Sequence, residues 1–488
     1  MSTTAFIGPN LPGMLGILLA AGRGTRMKNS KSKLLFDVNE RPLVMSPFDA
    51  LFELCEKVVV VVGYQGSEVK ETVLQHANER FGSETVLSKC LFYIQEVQGG
   101  TGHAVKTALD NLGKKITAFP ETLVVNGDLP LMTAETLKDF LDRSRSEKVQ
   151  SSCLSVPMRN PVGLGRIIRD SMGGFEGIRE EKDASVEERR IQEVNGGVYF
   201  FQTSFLESEI KKLKDNNAQK ELYLTDLLGK PVSSVRRTAA LMAKRPRDLL
   251  GVNTTFELAR VRRLAQQRLQ KTLAEDFGVE FFDSTTAFVS ARARFEGHAI
   301  VGPSVKVSGT TVIGVGVLLE GCNFIKDSKI ENGAKIYWGS VLEEAVVGES
   351  SQVGPLARLR PGTVLGKKVK IGNFVETKKA RFGDGAKASH LSYIGDADIG
   401  SEANLGAGTI TCNYDGFQKH PTKVGNRAFI GSDTQLIAPV TVGDDAYVAS
   451  GTAVTQDVPA GALAISRPDM VVKEGYARKM AEKRKNKG

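Results

Sequence analysis

The stretch from Val347 to Gly372 reads VGESSQVGPLARLRPGTVLGKKVKIG and repeats one pattern every six residues. The aliphatic residues at this spacing are Val347, Val353, Leu359, Leu365 and Ile371. Glycine often follows the aliphatic residue and supplies a backbone that turns freely. One inward-facing aliphatic residue and one turn per six residues is typical of a parallel β-helix of hexapeptide repeats.

The same period continues on both sides of this stretch. The matching positions are Val301, Val307, Ile313, Leu319, Ile325, Ile430, Leu436, Val442, Val448 and Val454. A β-sandwich built from hairpins would not produce the same six-residue period in three separate stretches of the chain. We therefore predict a β-helix domain over residues 277–488, ending in a basic tail, with a loop extruded where the period breaks from Tyr414 to Pro421.

A single connecting helix is predicted before the repeats, over residues 256–276. Thr254 and Glu257 have the spacing of a capping box. The apolar residues that then share one helical face are Leu258, Val261, Ala265, Leu269 and Leu273.

Residues 1–255 alternate short apolar runs with stretches of helical spacing. The run Val58–Val62 consists of five valines, as expected of a strand buried on both faces of a parallel sheet. The other candidate strands and helices are Gly16–Ala20, Leu91–Ile94, Leu123–Val125, Cys153–Val156, Val198–Phe201, Ala104–Leu112 and Glu135–Arg143. This order predicts an α/β domain with a Rossmann-like open sheet that binds ligands beyond the carboxyl ends of its strands.

The first of these strands runs into a glycine-rich loop, LAAGRGTRM, from Leu19 to Met27. Glycines let backbone N–H groups approach phosphate oxygens closely. The loop is not a dinucleotide fingerprint, because Met27 replaces the third glycine, and no Gly-Lys-Ser/Thr follows as in a Walker A loop. It predicts a nucleotide-phosphate site of another kind.

The composition limits the class of protein and its location. The 488 residues are 41% hydrophobic, which favours two or three folded domains over disorder. A net charge of +9 is typical of a nucleic-acid binder or of an enzyme for phosphorylated substrates. Part of this charge lies in the tail after Gly475, and the alternative explanation for that part is a solvated tail that binds nothing.

Five scattered cysteines favour a reducing compartment and form no zinc pattern. No apolar run reaches the roughly 18 residues of a membrane span, and Leu11–Ala21 lacks the basic residues that begin a signal peptide. We expect a cytoplasmic enzyme that neither inserts into membranes nor binds nucleic acid.

Polar residues accompany the phosphate loop along the first half. In chain order they are Lys33, Gln95 with Gly100-Thr101, Asn126-Gly127-Asp128, Gly165-Arg166, Glu180, Asn195 and Gly251-Val252-Asn253. Their order and spacing resemble a bacterial bifunctional family in which N-acetylglucosamine-1-phosphate uridyltransferase is fused to glucosamine-1-phosphate N-acetyltransferase. Three positions depart from that family: Asn126, where relatives usually have an aromatic residue, Ser32, where they usually have proline, and Ser450 in the second half, where some relatives have alanine.

The second half resembles the acetyltransferase part of the same family. The matching stretches are ARLRPG (Ala357–Gly362), GNFVETKKA (Gly372–Ala380), NLGAGTITCNYDG (Asn404–Gly416), GSDTQLIAPVTVG (Gly431–Gly443) and ALAISR (Ala462–Arg467). The resemblance runs from about Gly16 to Gly475. It implies a left-handed β-helix and a homotrimer in which acetyltransferase sites form between neighbouring β-helices.

For uridylyl transfer the sugar phosphate is already an anionic nucleophile, so the barrier lies in bringing two anions together and stabilising charge on the phosphates. Arg26 and Lys33 supply positive charge, and Asp128 at a strand end is placed to hold Mg²⁺, with Asn253 as the second ligand that the resemblance implies. It also implies that UTP or UDP-N-acetylglucosamine contacts Leu19, Ala20, Ala21, Gly22, Lys33, Gln95, Gly100, Thr101, Gly165, Glu180, Asn195 and Asn253, the sugar lying at Gly165, Glu180 and Asn195.

Acetyl transfer from acetyl-CoA requires a neutral amine, for which a general base that titrates near neutral pH is useful. His390 aligns with the family's base. The resemblance implies that Arg360 and Lys378 bind the sugar phosphate, and Tyr393 and Asn404 the sugar. The acetyl-CoA contacts that it implies are Ala407, Asn413, Tyr414, Ser432, Ser450 and Arg467.

The sequence thus predicts an enzyme that acetylates glucosamine-1-phosphate and then couples the product to UTP, feeding peptidoglycan and lipopolysaccharide precursors. One alternative is a nucleotidyltransferase for other substrates with a degenerate β-helix. Another is a non-catalytic scaffold, since translation-factor subunits share this pairing of domains. The residues that argue against these alternatives are Arg26, Lys33, Asp128, Asn253, Arg360, Lys378, His390, Tyr393 and Asn404.

Overall fold

The computed structural model describes residues 11–22, 24–27, 29–229, 237–466 and 469–485. The chain divides into two compact units, Met1–Gln266 and Gln267–Gly488. The division falls within the helix from Thr255 to Phe277, which occupies the region predicted to be a connecting helix.

The first unit contains a nine-stranded sheet and a separate two-stranded hairpin. Its strands are β1 (Leu11–Ala20), β2 (Asp37–Val38), β3 (Arg41–Pro42), β4 (Cys55–Val62), β5 (Cys90–Ile94), β6 (Glu121–Asn126), β7 (Ser151–Pro157), β8 (Arg166–Arg169), β9 (Phe175–Arg179), β10 (Glu193–Gln202) and β11 (Thr238–Met242). Its helices are α1 (Met45–Leu54), α2 (Gly66–Phe81), α3 (Ser83–Lys89), α4 (Thr101–Leu112), α5 (Ala134–Ser146), α6 (Thr203–Glu209) and the N-terminal part of α7 (Thr255–Phe277). Every predicted strand and helix of this half lies within one of these elements.

The strand order is β11-β7-β10-β6-β1-β4-β5, with β8 and β9 attached beside β10. The pairs β1–β4, β1–β6, β4–β5 and β7–β11 are parallel, whereas β10 is antiparallel to both β6 and β7. The sequence did not reveal this reversal. It arises because residues 158–192, all of which the structure describes, contain the β8–β9 hairpin and no α-helix that could carry the chain across the sheet.

The five valines of β4 confirm a strand buried on both faces. Val58, Val60 and Val62 belong to one hydrophobic cluster, and Val59 and Val61 to the cluster on the opposite face. At the carboxyl edge, Leu19 pairs with Asn126 and Ala20 with Val62. The phosphate loop, the segment after β5 and the Asn126–Asp128 turn therefore emerge side by side.

The second unit is a parallel β-helix whose strands stack on the strands of the next coil. One face consists of β12 (Glu280–Phe281), β15 (Ala299–Val301), β18 (Val317–Leu319), β21 (Lys335–Ile336), β24 (Gln352–Val353), β27 (Lys370–Asn373), β29 (Lys387–His390), β31 (Asn404–Leu405), β34 (Phe429–Ile430), β37 (Tyr447–Val448) and β39 (Leu463–Ala464). The other faces consist of β13 (Phe288–Val289), β14 (Arg294–Phe295), β16 (Lys306–Ser308), β17 (Val312–Ile313), β19 (Phe324–Lys326), β20 (Lys329–Ile330), β22 (Val341–Glu343), β23 (Val346–Val347), β25 (Arg358–Leu359), β26 (Val364–Leu365), β28 (Glu376–Phe382), β30 (Tyr393–Ile399), β32 (Ile410–Cys412), β33 (Thr422–Val424), β35 (Gln435–Ile437), β36 (Val440–Val442) and β38 (Ala453–Val454).

The core of the β-helix confirms the hexapeptide prediction. All fifteen aliphatic positions named above are at most 4% exposed and line the interior. The predicted break falls between β32 and β33, where residues 413–421 leave the regular coil. The left-handed sense of the coil stays a prediction.

The helix α7 begins with a hydrogen-bonded cap, whereas the last described helix, near the end of the chain, is exposed. At the start of α7, the backbone N–H of Glu257 donates to Thr254 Oγ1 at 3.2 Å and that of Thr254 donates to Glu257 Oε2 at 2.9 Å, which is the predicted capping box. The C-terminal helix α8 (Tyr476–Lys485) is exposed throughout. No helix in the described ranges is long and apolar enough to cross a membrane.

Candidate active sites

The phosphate loop is fixed by the packing of Gly24 on Lys33. Gly24 has φ +61°, and a Cβ atom built there would lie 2.9 Å from the Lys33 side chain. A larger residue would displace Lys33, so the position requires glycine for steric reasons. Arg23 of the loop lies outside the described residues.

Four predicted residues from distant segments meet at the carboxyl edge of the sheet. Lys33 Nζ donates to Asp128 Oδ2 at 2.6 Å and to Asn253 Oδ1 at 3.1 Å. Arg26 Nη2 donates to the same Asn253 oxygen at 3.0 Å. The structure therefore brings Arg26, Lys33, Asp128 and Asn253 together.

The oxygen atoms of Asp128 and Asn253 fit Mg²⁺ as ligands. The Asp128 and Asn253 oxygens already converge on one cation, the Lys33 ammonium. Carboxylate and amide oxygens suit Mg²⁺, which usually takes one or two protein ligands together with phosphate oxygens and water. Within the described ranges, no group of three or more His, Cys, Asp or Glu residues forms a metal cage. A site shared with substrate phosphates is the kind that these residues can form.

The first pocket, which we call the loop pocket, lies between the phosphate loop and α4. Its lining includes Leu19, Ala21, Gly22, Lys33, Gln95, Gly100 and Thr101 among the predicted residues, together with Gln98, Asn126, Asp128 and Glu221. Ala20 is only 1% exposed and is not among the described lining residues.

The segment from Glu221 to Leu224 holds one wall of the loop pocket. The Gly102 N–H donates to the Leu222 carbonyl at 2.7 Å, and the Leu222 N–H donates to the Gly99 carbonyl at 2.8 Å. The Leu224 N–H donates to Thr101 Oγ1 at 3.1 Å. Gly100 has φ +94°, and a Cβ atom there would lie 2.7 Å from the Leu222 carbonyl oxygen. These contacts fix Gly100 and Thr101 independently of the phosphate loop.

The second pocket, which we call the hairpin pocket, is bordered by the β8–β9 hairpin. Its lining includes Arg26, Gly165, Glu180, Asn195 and Asn253 among the predicted residues. Both pockets are lined by Thr101, Asn126 and Asp128, so they meet at the proposed metal ligand. Asn126, one of the three departures from the family pattern, lies at this junction.

Glu180 is a partly buried carboxyl that borders the hairpin pocket. Burial raises the pKa of Glu180, although a 3.1 Å hydrogen bond from Thr225 Oγ1 opposes the increase. A Cβ atom at Gly165 would lie 3.2 Å from Glu180 Oε1, so this glycine leaves the carboxyl accessible. Asn195 Nδ2 donates to the Tyr199 hydroxyl at 2.7 Å, which orients the Asn195 amide.

The polar lining residues that the sequence did not identify as pocket residues include Gln98, Glu221 and Glu257. Gln98 Nε2 donates to the Ala21 carbonyl at 3.0 Å and so links the loop after β5 to the phosphate loop. Glu221 and Glu257 line the loop pocket and the hairpin pocket, respectively. None of them belongs to a local motif of pocket residues, because the fold brings them there from separate segments.

In the second unit, the described residues of the predicted acetyltransferase set lie on two faces of the β-helix that are joined by the turn between His390 and Tyr393, and we call this region the corner site. His390 pairs with Asn373 on the preceding coil. The pairs Ala388–Leu405, Leu405–Ile430 and Ile430–Val448 extend this register. They place His390, Ala407, Ser432 and Ser450 in one column on successive coils.

A second column lies across the same corner. The pair Leu359–Thr377 places Arg360 level with Lys378, and Lys378 pairs with Gly395. Arg360 Nη1 donates to Glu376 Oε1 at 2.8 Å, which aims the guanidinium along this column. Asn404, at the start of β31, lies one coil beyond Lys387 on the adjoining face.

Lys378 lies in a concentration of positive charge. The neighbouring Lys419, and then Arg360, lower the pKa of Lys378. Lys419 belongs to the extruded loop and was not found from the sequence. The position of that loop outside the hexapeptide period is the only sequence signal that marks this lysine. A cluster of three cations is suited to a phosphate dianion.

The loop from Asn413 to His420 is held by its own hydrogen bonds. Asp415 accepts from the N–H groups of Phe417 and Gln418 at 2.8 Å and contacts His420 Nε2 at 2.7 Å. The Tyr414 hydroxyl donates to the Gly416 carbonyl at 2.7 Å. These contacts fix the loop that carries Lys419.

Asn413 and Tyr393 approach one another over Gly395. A Cβ atom there would lie 2.5 Å from the Tyr393 hydroxyl and 2.8 Å from Asn413 Nδ2. Asn413 Nδ2 donates to Asp396 Oδ2 at 2.5 Å. The predicted contact Arg467 lies outside the described residues.

The chain is similar to known proteins along nearly its whole length. The chain is 44% identical over 466 residues to the "Bifunctional protein GlmU" of Trichlorobacter lovleyi, covering 95% of this chain and 98% of the relative. The chain belongs to the GlmU family. GlmU of Geotalea uraniireducens is 40% identical over 95% of this chain and 98% of its own length, and GlmU of Staphylococcus haemolyticus is 39% identical over 95% and 99%.

Domain families match both halves of this GlmU-family chain. Residues 16–191 match the MobA-like NTP transferase domain. Residues 284–382 match the GMPPB C-terminal domain, and residues 421–456 match the hexapeptide repeat of succinyl-transferase. Membership of a bifunctional family and the two kinds of domain confirm the prediction of a bifunctional transferase.

Proposed function

We propose that this GlmU-family chain makes UDP-N-acetylglucosamine in two steps at two sites. Acetyl-CoA first acetylates glucosamine-1-phosphate at the corner site. UTP then reacts with N-acetylglucosamine-1-phosphate where the loop and hairpin pockets meet. The observation that carries the proposal is the junction of these two pockets at Asp128, with Arg26, Lys33 and Asn253 in direct contact around it.

For uridylyl transfer, we assign the loop pocket to the nucleotide and the hairpin pocket to the acetylated sugar. A phosphate oxygen of the sugar phosphate attacks the α-phosphorus of UTP, and the bond to the leaving pyrophosphate breaks. Arg26 and Lys33 offset the charge of the two anions as they approach. Mg²⁺ held by Asp128 and Asn253 would neutralise charge on the phosphates. Gly165, Glu180 and Asn195 would contact the sugar.

For acetyl transfer, Arg360, Lys378 and Lys419 bind the phosphate of glucosamine-1-phosphate. Tyr393 and Asn404 orient the sugar. His390 takes a proton from the substrate ammonium, and the free amine attacks the thioester carbonyl. The C–S bond breaks, the nitrogen gives up a second proton to the departing sulfur, CoA leaves as the thiol, and the amide remains on the sugar. The acetyl-CoA contacts that we assign are Ala407, Asn413, Tyr414, Ser432, Ser450 and Arg467.

We further propose a homotrimer formed through the β-helix. Trp338, Leu356, Phe374 and Leu391 are 39–64% exposed, and their backbones follow one another along the corner that carries the candidate residues. A continuous apolar column of this kind is suited to contact with another β-helix. Its place beside His390 supports acetyltransferase sites that a neighbouring subunit completes. Because the cytoplasm supplies both UTP and acetyl-CoA, it is the location that fits this function.

An assay that follows both products tests the proposal. Purified protein is incubated with glucosamine-1-phosphate, acetyl-CoA, UTP and Mg²⁺, and the release of CoA and of pyrophosphate is measured. We expect CoA release to require the amino sugar, and pyrophosphate release to require UTP and to stop with EDTA. Release of neither product would favour a scaffold, and equal rates with other nucleotides would contradict uridylyl transfer.

A further inference from the structure

Arg166 is a buried arginine next to the hairpin pocket. It follows Gly165 at the start of β8 and is 1% exposed. It is not among the described residues that line the loop pocket or the hairpin pocket. Burial of a guanidinium is costly unless charge and hydrogen bonds compensate for it. The hydrogen-bond and charge partners of Arg166 therefore indicate what the buried guanidinium does.

The partners of Arg166 come from the two edges of the hairpin pocket. Its Nη2 atom lies 2.7 Å from Glu181 Oε2 and donates to the Arg189 carbonyl at 3.2 Å. Its Nη1 atom donates to the Leu164 carbonyl. The guanidinium thus joins residue 164, just before Gly165, to residue 181, just after Glu180.

Glu181 extends this link to the backbone of Gly163, which lines the hairpin pocket. Its Oε2 atom, which accepts from Arg166, also accepts from the Gly163 N–H at 3.1 Å. Desolvation raises the pKa of Glu181, but the hydrogen bonds from Arg166 and Gly163 together lower it. The carboxylate is therefore ionised at neutral pH and holds both donors.

Gly163 in turn lies against Arg26. It has φ +81°, and a Cβ atom built there would be 2.9 Å from Arg26 Nη1. The other terminal nitrogen of Arg26 donates to Asn253 Oδ1. A shift of Gly163 would therefore move or release the guanidinium that faces the proposed phosphate site.

We propose that Arg166 and Glu181 are a positioning pair for the nucleotidyl-transfer reaction. Through Leu164 and Gly163, the pair sets both the sugar-facing residues Gly165 and Glu180 and the position of Arg26. This inference rests on the proposed assignment of the hairpin pocket to the sugar phosphate. Neither residue of the pair needs to touch the substrate.

Loss of the pair has a distinct kinetic signature. The KM for N-acetylglucosamine-1-phosphate rises because Gly165 and Glu180 lose their fixed position. The kcat falls because Arg26 is less well placed for the transition state. The KM for UTP is unchanged, since Gly100 and Thr101 are held by Leu222 and Leu224 rather than by the hairpin.

The test compares Glu181→Gln and Glu181→Ala with a matched control, Glu193→Gln. The Glu181 side chain is 27% exposed, so its replacement leaves no buried cavity. Glu193 pairs with Arg169 of the same strand β8, also at 2.7 Å, and is not among the described lining residues of either pocket. The readouts are kcat, KM for each substrate, thermal unfolding, and CoA release by the same preparation.

For both Glu181 variants we expect kcat/KM for the sugar phosphate to fall by about tenfold or more, as loss of a positioning contact can cause. KM for UTP, CoA release and kcat/KM of Glu193→Gln should stay within about twofold of the wild type. Equal losses in the Glu181 and Glu193 variants, or parallel increases in both KM values, would overturn the positioning role. A wild-type protein that releases no pyrophosphate would instead overturn the proposed function itself.

Discussion

At the residue scale, Lys33 is the centre of the proposed nucleotidyl-transfer site. Its ammonium holds Asp128 and Asn253, which lie 95 and 220 residues further along the chain. Ser32, which stands where relatives usually have proline, is fully buried, and its hydroxyl has no hydrogen-bond partner among the described residues. The Ser32 hydroxyl therefore makes no hydrogen bond to a described residue that could position Lys33, whose ammonium is held by Asp128 and Asn253.

The cation cluster of the corner site predicts a pH dependence for Lys419→Met. In the proposed acetyl transfer, protonated Lys378 binds the substrate phosphate, and the pKa of Lys378 is lowered by Lys419 and Arg360. In the wild type, KM for glucosamine-1-phosphate should rise as pH increases through this lowered pKa. In Lys419→Met, KM at neutral pH should be about tenfold higher because one charged hydrogen bond is lost. Its further rise should begin at a higher pH, because the pKa of Lys378 returns toward its ordinary value.

The measurement is KM for glucosamine-1-phosphate across pH, with Lys423→Met as the matched control. Lys423 lies on β33 of the same β-helix, level with Asp398 on β30, away from the Lys378 column. The control should follow the wild-type profile. Identical pH profiles in Lys419→Met and the wild type would show that Lys419 does not act on Lys378.

The sequence predicted candidate site residues that belong to local motifs, but not those that the fold brings to a site from other segments of the chain. Asp128 was predicted because it ends a strand in a recognisable turn, and His390 because it aligns with the base of the family that the sequence resembles. Lys419 is brought to Lys378 by an irregular loop, and Glu181 acts through the backbone of Gly163. Neither contact has a periodicity or a spacing that a sequence pattern could reveal.

At the element scale, the strand pattern predicted the positions of six of the nine strands in the main sheet, missed β8, β9 and β11, and did not predict the strand directions. Apolar runs locate strands because burial selects their residues. Direction depends on the connection, and the β8–β9 hairpin between β7 and β10 replaces the helix that a parallel return requires. The β-helix was predicted more fully because one period fixes the inward position and the turn on every coil.

The start of α7 joins a helix cap to a proposed metal ligand. Glu257 Oε2 accepts from the Asn253 N–H at 2.7 Å as well as from Thr254. Glu257→Ala should lower the free energy of unfolding by about 1 kcal/mol through the lost cap. It should also weaken the apparent Mg²⁺ affinity of pyrophosphate release by about tenfold, because Asn253 loses an outer partner.

A Mg²⁺ titration of pyrophosphate release checks this prediction, with Glu135→Ala as the control. Glu135 is the first-turn glutamate of α5 and is not among the described lining residues of the two pockets. An unchanged Mg²⁺ dependence in Glu257→Ala would separate the helix cap from the metal site.

At the scale of the whole molecule, each compact unit carries one of the two sets of candidate residues. Arg26, Lys33, Asp128 and Asn253 all lie in the first unit, and the corner site lies in the second. The net charge of +9 admitted a nucleic-acid binder or an enzyme for phosphorylated substrates. The cations gathered at both sites, and the family to which the chain belongs, favour the enzyme.

The central claim is that the two reactions take place at separate sites, and two variants measured in one assay test it most directly. His390→Ala and Asp128→Asn are each given glucosamine-1-phosphate with acetyl-CoA, and separately N-acetylglucosamine-1-phosphate with UTP and Mg²⁺. His298→Ala, an exposed histidine elsewhere in the β-helix, is the control. We predict that His390→Ala loses at least about 100-fold in CoA release, as expected on removal of a general base, and keeps pyrophosphate release. Asp128→Asn should lose pyrophosphate release alone, and a variant that lost both activities, or neither, would contradict the account.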